Sequence, residues 1–563
     1  YCTAGNSHTI KNCEIKNNSA AYGSAIYNEY GSLDLQGCII SGNETGTSGT
    51  VYIGQASAIL TMSDVRIESN SATNGGAVFL GNKATAKISD ASVVIKNNSA
   101  SGGNSRGPGI SLWNGYLELS GSAKIEDVVG AYGDNSTYAH EIVISGALTG
   151  STPVATITPS AYAAGTQVLS LASGTGTTLA ANCGKFELSQ AGWKIDGEGK
   201  LAVSPDMYVS EGGDDTSGKG SQSKPFATLQ KAFDLIQTLN LSTVSYTVHI
   251  SGTVKGKSEL PADVSAQKIS ITGTAGADTD VINEGSIYSN NKVITVNSAV
   301  PVEITDVKLT GGNCGIAVGS GANVTLGEGA VISGNKMGTS VSSVGGVYIS
   351  GGTFILSGGT ISDNQASSAG GVFIYSDGIF TMKSGSISKN KATSGGGGVY
   401  VSKGTFIMEG GTIDANTGGS GAGVFVSTNG TFNISGSASI PAGDGGTNDV
   451  YLASGKTITV AGALTAASPV ATITLPNYTA GTQVLSAGDD VTLDGSICNK
   501  FAVTLQADGT GWRVAPNNDG TDGVLAEIDT IYLDYYGSNA NLGLTASGAV
   551  NRLSTAIELY DAY

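Results

Sequence analysis

The chain has 563 residues, of which 84 are Gly, 11 are Pro and 13% are charged, and its net charge is −17. This composition excludes a highly charged disordered segment and a collagen-like fibre. The acidic balance also argues against nucleic acid as a partner. Because no apolar run of about 18 residues is present, we expect no direct membrane insertion by this chain.

Short repeated units start near the first residues and recur along the chain. Each unit contains three segments, such as GGVYV, GTFIM and GTIDAN of residues 397–416, joined by Gly, Ser, Asn or Asp. Alternating apolar segments of this length are typical of strands, and the joining residues favour turns. Three strands in about 26 residues make one coil of a parallel β-helix, whose coils lie about 4.8 Å apart. We therefore predict an all-β fold, a parallel β-helix (β-solenoid).

A column of Asn residues marks the end of the third segment in each unit. Asn tolerates the left-handed backbone conformation that a sharp corner requires, and its amide can bond to the equivalent Asn in the adjacent coils. We expect a ladder of buried side-chain amides at one corner of each coil. Its predicted members are Asn18, Asn43, Asn70, Asn98, Asn335, Asn364, Asn390 and Asn416.

Two cysteines in the first units are 25 residues apart, which is close to one coil. Cys13 and Cys38 should therefore be neighbours on successive coils, either joined by a disulfide or stacked as small apolar side chains. The sparse cysteine content favours stacking.

The repeats resemble those of a known family. GGAVFL, GGVFI and GGVYV alternate with IKNNSA, IESNSA and ISDNQA, and this combination resembles the GGA[IVL] and FxxN repeats of polymorphic outer membrane proteins. Here Ile replaces the Phe of FxxN. The resemblance implies a bacterial protein, extracellular or on the cell surface, that adheres to a glycan or protein of a host or neighbouring cell.

A longer duplication divides the chain into modules. Residues 147–170 align without gaps to residues 463–486, at an offset of 316. Each copy is followed by a Cys, a Lys-Phe pair and a Trp, which we interpret as the end of a module. The first residues already match the middle of a repeat, so module 1, residues 1–203, is predicted to be truncated at its N-terminus.

One helix is predicted near residues 226–239. Leu229, Ala232, Phe233, Ile236 and Leu239 follow helical spacing after Pro225. A helix there would cover the unpaired edges and open core of a first coil. The stretch from Met207 resembles the YVS…PFxTIQxAI opening of many secreted right-handed β-helix proteins, including some polysaccharide lyases, which implies secretion and a right-handed, pectin lyase-like fold but not lyase activity.

The repeat units continue to the second tail, and the opening then returns. Within GTFIM, Phe406 and Met408 should point inward and Ile407 outward, so that Phe354, Phe380, Phe406 and Phe432, each 26 residues apart, stack in the core. Ile531–Tyr560 aligns with Met207–Ile236. We therefore predict tandem modules, each opened by a capping helix: module 2 covers 204–516, and 517–563 is a linker and the start of module 3.

Chemistry-bearing residues show no shared repeat position. Acid–base or metal-assisted sugar cleavage would need carboxylates, Arg, Lys or His gathered on one face, whereas these residues are scattered. Acidic turns at Asp214 and Asp215, and at Asp444 and Asp449, can be interpreted as polar turns or as calcium sites. The polar turn is favoured, so we expect no catalytic residues, no metal and no cofactor.

An aromatic column in the first segment is the candidate binding site. Alternation places one aromatic residue outward in each unit, and Ser111 interrupts the column in module 1. Such a ladder suits carbohydrate stacking or a protein partner, although it could instead strengthen the sheet or lie under a loop. Its members are Tyr27, Tyr52, Phe79, Tyr348, Phe373, Tyr400 and Phe425.

Three functions follow from these features. The leading one is a non-enzymatic structural or adhesin protein of the bacterial surface, a rod-like array that presents a binding surface. The alternatives are a carbohydrate-active β-helix enzyme, such as a polysaccharide lyase or hydrolase, and a subunit that assembles end to end with itself into a filament or surface layer.

Overall fold

A computed structural model describes residues 6–102, 106–131, 141–285, 291–336, 344–443, 447–506 and 510–528. The chain divides into two units, Tyr1–Ser204 and Pro205–Tyr563, one residue after the predicted boundary at 203. Each unit is described by itself. The start of a third module at Ile531–Tyr560 lies outside the described residues.

The first unit is built almost entirely from short strands. Its elements are β1 His8–Lys11, β2 Glu14–Lys16, β3 Ser19–Tyr22, β4 Ile26–Asn28, β5 Ser32–Gln36, β6 Ile39–Ser41, β7 Glu44–Ser48, β8 Val51–Ile53, β9 Ile59–Ser63, β10 Arg66–Glu68, β11 Ser71–Asn74, β12 Val78–Gly81, β13 Thr85–Ile88, β14 Val94–Lys96, β15 Ser99–Ala100, β16 Ile110–Trp113, β17 Tyr116–Gly121, β18 Val129–Ala131, β19 Glu141–Leu148, β20 Ala155–Thr158, β21 Leu169–Leu171, α1 Ala180–Cys183, β22 Phe186–Leu188, β23 Trp193–Ile195 and β24 Leu201–Val203.

These strands stack into parallel sheets whose neighbours come from successive coils. The first strands of the coils, β4, β8, β12, β16, β18, β20 and β22, form one sheet, and the second strands, β1, β5, β9, β13, β17, β19 and β21, form another. The third strands pair as β2, β6, β10 and β14, and a further set, β3, β7, β11 and β15, follows them. The expectation of three strands per coil is therefore wrong for these coils, because the chain beyond the Asn corner is extended enough to pair as well.

The second unit has the same plan. Its elements are β25 Asp206–Ser210, α2 Leu229–Leu239, β26 Ser245–Ser251, β27 Thr253–Lys255, β28 Ser258–Leu260, β29 Lys268–Gly273, β30 Val281–Asn283, β31 Lys292–Val296, β32 Val302–Thr305, β33 Lys308–Thr310, β34 Cys314–Val318, β35 Asn323–Leu326, β36 Val331–Ser333, β37 Val347–Ser350, β38 Thr353–Leu356, β39 Thr360–Ser362, β40 Gln365–Ala366, β41 Val372–Tyr375, β42 Gly378–Met382, β43 Ser386–Ser388, β44 Lys391–Ala392, β45 Val399–Met408, β46 Thr412–Asp414, β47 Val424–Gly436, β48 Val450–Leu452, β49 Ile458–Leu464, β50 Ala471–Thr474, β51 Gln483–Ala487, α3 Gly495–Cys498, β52 Phe501–Val503, β53 Trp512–Pro516 and β54 Asp522–Glu527.

Parallel pairing between coils joins these strands as predicted. The third strands form a separate sheet, β27-β30-β33-β36-β39-β43-β46. In two coils the first and second strands merge, because β45 and β47 each run through both segments without a turn. The prediction of an all-β parallel β-helix is confirmed.

The interior of the second unit is filled by the predicted Phe column. Phe354, Phe380, Phe406 and Phe432 are fully buried. The ring centroids of Phe380 and Phe406 are 4.9 Å apart and nearly parallel, at 6°. Met408 is buried beside them and Ile407 faces outward, as alternation predicts. A stack at the spacing of the coils fills the core without voids, which explains why the same aromatic side chain recurs.

The amide ladder is confirmed in both units. Asn390 Nδ2 donates to Ile361 O at 2.9 Å and to Asn416 Oδ1 at 3.0 Å. Its Oδ1 accepts from the backbone N–H and the Nδ2 of Asn364. Every polar atom of this buried amide is thus bonded. The ladder also extends beyond its predicted ends, to the Asp127 carboxylate in the first unit and to Asn448 in the second.

One detail of the Asn corner was predicted wrongly. The left-handed residue is the one before each ladder Asn, as at Asn17, Asp363, Lys389 and Ala415, whose φ values are 56°, 57°, 55° and 52°. Reversal of the chain at that residue directs the next side chain inward. The ladder Asn therefore contributes its amide rather than its tolerance of positive φ.

Close approach between coils explains the paired glycines before each first strand. A Cβ at Gly371 would lie 2.3 Å from the carbonyl oxygen of Gly398 in the next coil, and a Cβ at Gly346 would lie 2.3 Å from that of Gly371. No side chain fits at this separation. The glycine column therefore sets how closely consecutive coils pack.

Helix α2 covers the first coils of the second unit, as predicted. Leu229, Ala232, Phe233 and Ile236 are buried, whereas Leu239 is half-buried. Gln230 bonds to both backbone groups of Glu259, donating to its carbonyl oxygen and accepting from its N–H. The helix thereby satisfies part of the free edge of β28, which would otherwise present unpaired backbone groups.

Both units end in the same way. A short helix containing a buried cysteine, α1 or α3, precedes an antiparallel hairpin that starts at Trp193 in one unit and Trp512 in the other. β54 pairs with β53 and with β51. The predicted end of module 2 at residue 516 is therefore wrong, since the closing hairpin reaches Glu527. An antiparallel strand across the last coil covers an edge that a further parallel strand would otherwise extend.

Cys13 and Cys38 occupy matching positions in adjacent coils, and the Ile39 N–H donates to the Cys13 carbonyl oxygen at 2.9 Å. Both thiols are free, Cys13 exposed and Cys38 buried, so the disulfide alternative is wrong. Within the described ranges, no helix has both the length and the apolar character needed to cross a bilayer.

Candidate binding surface

The predicted aromatic column exists in the second unit and is longer than expected. Tyr348, Phe373, Tyr400 and Phe425 lie in register on the outer face of β37, β41, β45 and β47. Tyr451 on β48 follows Phe425 in the same column. Its spacing of 26 residues from Phe425 could have revealed it, but no Gly-Gly pair precedes it in the sequence. We call these five residues the outer aromatic column.

Consecutive rings of the outer aromatic column touch one another. Phe425 and Tyr451 are 4.9 Å apart and inclined at 17°, and Tyr348 and Phe373 are 5.9 Å apart at 29°. Tyr400 differs, because it meets Phe373 at 85° and Phe425 at 78°. Aromatic pairs are stable in both the stacked and the edge-to-face arrangement.

The first unit contains the shorter column that the sequence predicts. Tyr27 and Tyr52 stack at 4.6 Å and 6°, and Tyr52 and Phe79 at 5.3 Å and 7°. Ser111 is the partner of Phe79 in the next coil, which confirms the interruption. Tyr22 on β3 was not predicted to belong here, yet its ring meets Tyr52 edge to face and it is 50% exposed.

Exposure of the columns is smaller than expected. Phe79 is buried and the other predicted members are half-buried. The chain before each first strand runs beside the rings, so that a Cβ at Gly395 would lie 3.4 Å from Tyr400 Cδ1 and one at Gly49 would lie 2.6 Å from Phe79 Cβ. Interpretation as a sheet-strengthening stack thus accounts for part of each column.

Large exposed apolar side chains occur beside the column in one coil. Tyr375 is 45% exposed and Ile379 is 39% exposed, and the Tyr375 ring lies 6.3 Å from that of Phe373. The sequence analysis missed both residues because neither recurs at the repeat spacing. Only the turn between them, at Ser376 and Asp377, exposes them.

The described carboxylates of the acidic turns bond within the protein. Asp215 accepts from the Ala227 and Thr228 N–H groups and from the Thr228 hydroxyl, which is itself the N-cap of α2. Hydrogen bonds from the Ser217 hydroxyl and the Thr216 N–H lower the pKa of Asp214. Asp449 accepts from the Ala422 N–H at 2.8 Å, and Asp444 lies outside the described residues. These contacts are those of polar turns.

One imidazole–carboxylate pair lies on the outer face of the first strands of the second unit. His249 Nε2 is 3.0 Å from Asp206 Oδ1, and the His249 ring stacks on Tyr208 at 4.7 Å. Sequence reasoning found no common position for His249. The pairing of β25 with β26 brings these residues together across 43 residues of chain.

Elsewhere the titratable groups that depart from their ordinary behaviour are mainly buried thiols and phenols. Burial raises the pKa of Cys314 to about 12 and that of Cys498 to about 11. Over the part of the chain that the structure describes, no three His, Cys, Asp or Glu side chains are grouped so as to hold a metal ion.

Comparison with known proteins bears on the coils that carry the outer aromatic column. Residues 287–462 match the family model of the right handed beta helix region. The matched coils are a right-handed β-helix. No curated protein matches the chain. The match covers Tyr348 to Tyr451 and establishes the fold of the strands that hold this column.

Proposed function

We propose that this chain is a non-enzymatic protein of the bacterial cell surface whose β-helix presents the outer aromatic column to a glycan or protein of another cell. The observation that carries the proposal is the column itself, five rings on the outside of five consecutive coils. The core is already filled by the separate Phe column, so these outer rings are not needed to fill it. Contiguous apolar surface on the outside of a protein usually serves recognition.

Two resemblances support the location. The repeats resemble those of polymorphic outer membrane proteins, and the stretch from Met207 resembles the opening of secreted β-helix proteins. Neither resemblance carries over a reaction. The repeated coils supply an extended surface whose binding groups can recur at about 4.8 Å intervals, which suits an extended ligand.

A carbohydrate-active enzyme is the second candidate, and the His249–Asp206 pair beside Tyr208 is the observation that favours it. An imidazole held by a carboxylate can act as a general base. Incubation of the protein with polysaccharides, followed by measurement of new reducing ends or of unsaturated products, tests this candidate, with His249→Ala as the control.

Binding of the folded protein to a glycan array and to intact cells tests the proposed function. We expect binding that is lost in the double variant Phe373→Ala and Tyr400→Ala. The matched control, Ile355→Ala with Ile407→Ala, removes two outward apolar side chains from the neighbouring second strands and should bind normally. Failure of the wild type to bind glycans and cells, or equal binding by the double variant, would contradict the proposal.

A further inference from the structure

The most exposed apolar side chains of the second unit converge on one coil. Among the described residues, five large apolar side chains are exposed, and the two in this unit are Tyr375 and Ile379. They lie four residues apart on either side of the turn between β41 and β42. The exposed apolar surface is therefore local rather than spread along the column.

The turn itself is unlike the same junction in the adjacent coils. Ser376 and Asp377 both have positive φ, 56° and 62°, although neither is Gly. The preceding coil makes this junction with Gly351 and Gly352, and the following coil passes through it within β45 without a turn. Two successive left-handed residues other than Gly are uncommon and strained. The chain thus holds an unfavourable turn that makes Tyr375 project.

The neighbours of Tyr375 along the sheet are small. Ser350 is its partner in the preceding coil, and Ser402 holds the same position in the following one. Tyr375 therefore stands between two serines and leaves a recess beside the outer aromatic column, above Ser402 and next to Tyr400.

The orientation of Tyr400 gives this recess an aromatic wall. Parallel rings with centroids only 4.9 Å apart, such as Phe425 and Tyr451, overlap face to face, because coplanar rings at that distance would collide. The face of Phe425 therefore points along the column. Tyr400, inclined at 78° to Phe425 with centroids 4.7 Å apart, directs its edge at that face. The faces of Tyr400 consequently point across the column, where no column ring covers them.

The hydroxyl of Tyr400 adds a polar group to the recess. Partial burial raises the pKa of this phenol, and no group of the described residues bonds to its oxygen. A partly desolvated hydroxyl without a partner gains free energy when a ligand donates to it or accepts from it. Further polar groups lie close by, because Lys403 Nζ forms an ion pair with Asp377 at 3.2 Å on the turn that carries Tyr375.

We propose that Tyr375, Tyr400, Ser402 and the Lys403–Asp377 pair form a subsite for a neutral pyranose ring within a longer glycan. A pyranose has an apolar face for the rings and hydroxyl groups at its edge for the ion pair and serine. A neutral sugar fits because the Lys403 charge is already balanced by Asp377 and because the chain carries a net charge of −17, which disfavours polyanions. The proposal rests on the proposed function and assigns its ligand class and place.

The size of the patch favours a sugar over a protein partner. A stable protein interface buries about 800 Å² on each partner, whereas the exposed apolar surface here consists of two side chains. A single sugar ring covers an area of that smaller scale. Capture of a protein in place of a glycan is an outcome that the test distinguishes.

The test measures glycan binding by the full chain and by two single variants. The probes are tetrasaccharides of glucose, galactose and mannose, with sialylated and sulfated glycans as the charged set. Tyr375→Ser installs the residue found at this position in both adjacent coils and should leave the fold intact, while weakening binding of the best neutral probe by about three- to tenfold. Tyr400→Phe keeps the ring and should weaken binding by about fivefold. Tyr22→Ser in the first unit is the matched control and should bind normally.

The outcomes separate the two proposals. If the wild type binds a neutral glycan and Tyr375→Ser binds it within twofold as well, the subsite is refuted while the proposed function stands. Binding of the charged probes alone refutes the neutral class. Absence of glycan binding together with capture of a cell-surface protein refutes the subsite, and absence of any binding refutes the proposed function too.

Discussion

Replacement of Asn390 by Ala tests how much the buried amide ladder stabilises the second unit. Asn390 is fully buried and takes part in four hydrogen bonds. The substitution removes all four. It leaves the Asn364 N–H and the Ile361 carbonyl oxygen without these partners in the interior, and each neighbouring ladder amide loses one bond.

The expected loss follows from the number of bonds. A typical hydrogen bond contributes about 1 kcal/mol net, and a buried group left without a partner costs about 1–3 kcal/mol. Water entering the space of the missing amide would restore part of this. We therefore expect Asn390→Ala to lower the free energy of unfolding by about 2–4 kcal/mol. Asn433→Ala, on the outer face of β47, is the matched control and should change it by less than about 0.5 kcal/mol.

Two measurements check this expectation. Urea unfolding followed by circular dichroism gives the change in stability, and hydrogen exchange read by mass spectrometry reports on peptides around residues 360–366. The Asn364 N–H, which donates to Asn390 Oδ1 at 3.1 Å, should exchange much faster in the variant. Stability within about 0.5 kcal/mol of wild type and unchanged protection of this segment would show that the ladder is not stabilising.

Two further predictions concern packing and thiol chemistry. Gly371→Ala should destabilise the protein in urea unfolding, since its Cβ would lie 2.3 Å from the Gly398 carbonyl oxygen, whereas Gly212→Ala, with nothing within 4 Å of the added Cβ, should be neutral; equal effects would show that coil spacing is not limiting. With a pKa of about 12, the buried Cys314 is about one ten-thousandth thiolate at pH 8. Iodoacetamide should therefore label the exposed Cys13 and not Cys314 until the protein is denatured, and labelling of Cys314 at the rate of Cys13 would contradict its burial.

The repeat sequence carried most of the fold. Identical spacing of Phe354 and Phe380 aligned the second strands, and alternation within each strand divided inner from outer residues. A parallel β-helix is readable in this way because every strand pairs with its own counterpart one coil later, so the sequence period is also the pairing register.

The misplaced left-handed residue shows one limit of such reasoning. Asn is common in the left-handed region, so composition pointed to the ladder Asn, but Lys389 and Ala415 adopt that conformation instead. Inter-coil hydrogen bonding fixes the ladder Asn with its amide inward and transfers the turn to the residue before it. Tertiary context here overrides the preference of the residue.

The candidate site divides in the same way. The sequence by itself determined which aromatic residues face outward, because period and alternation depend only on residue order. Only the tertiary structure decided that Tyr400 turns its edge to Phe425 and that the Ser376–Asp377 turn exposes Tyr375. Ring orientation and exposure depend on contacts between coils and on the path of each turn. Those contacts form between segments that are adjacent in space and distant in sequence, so no local pattern encodes them.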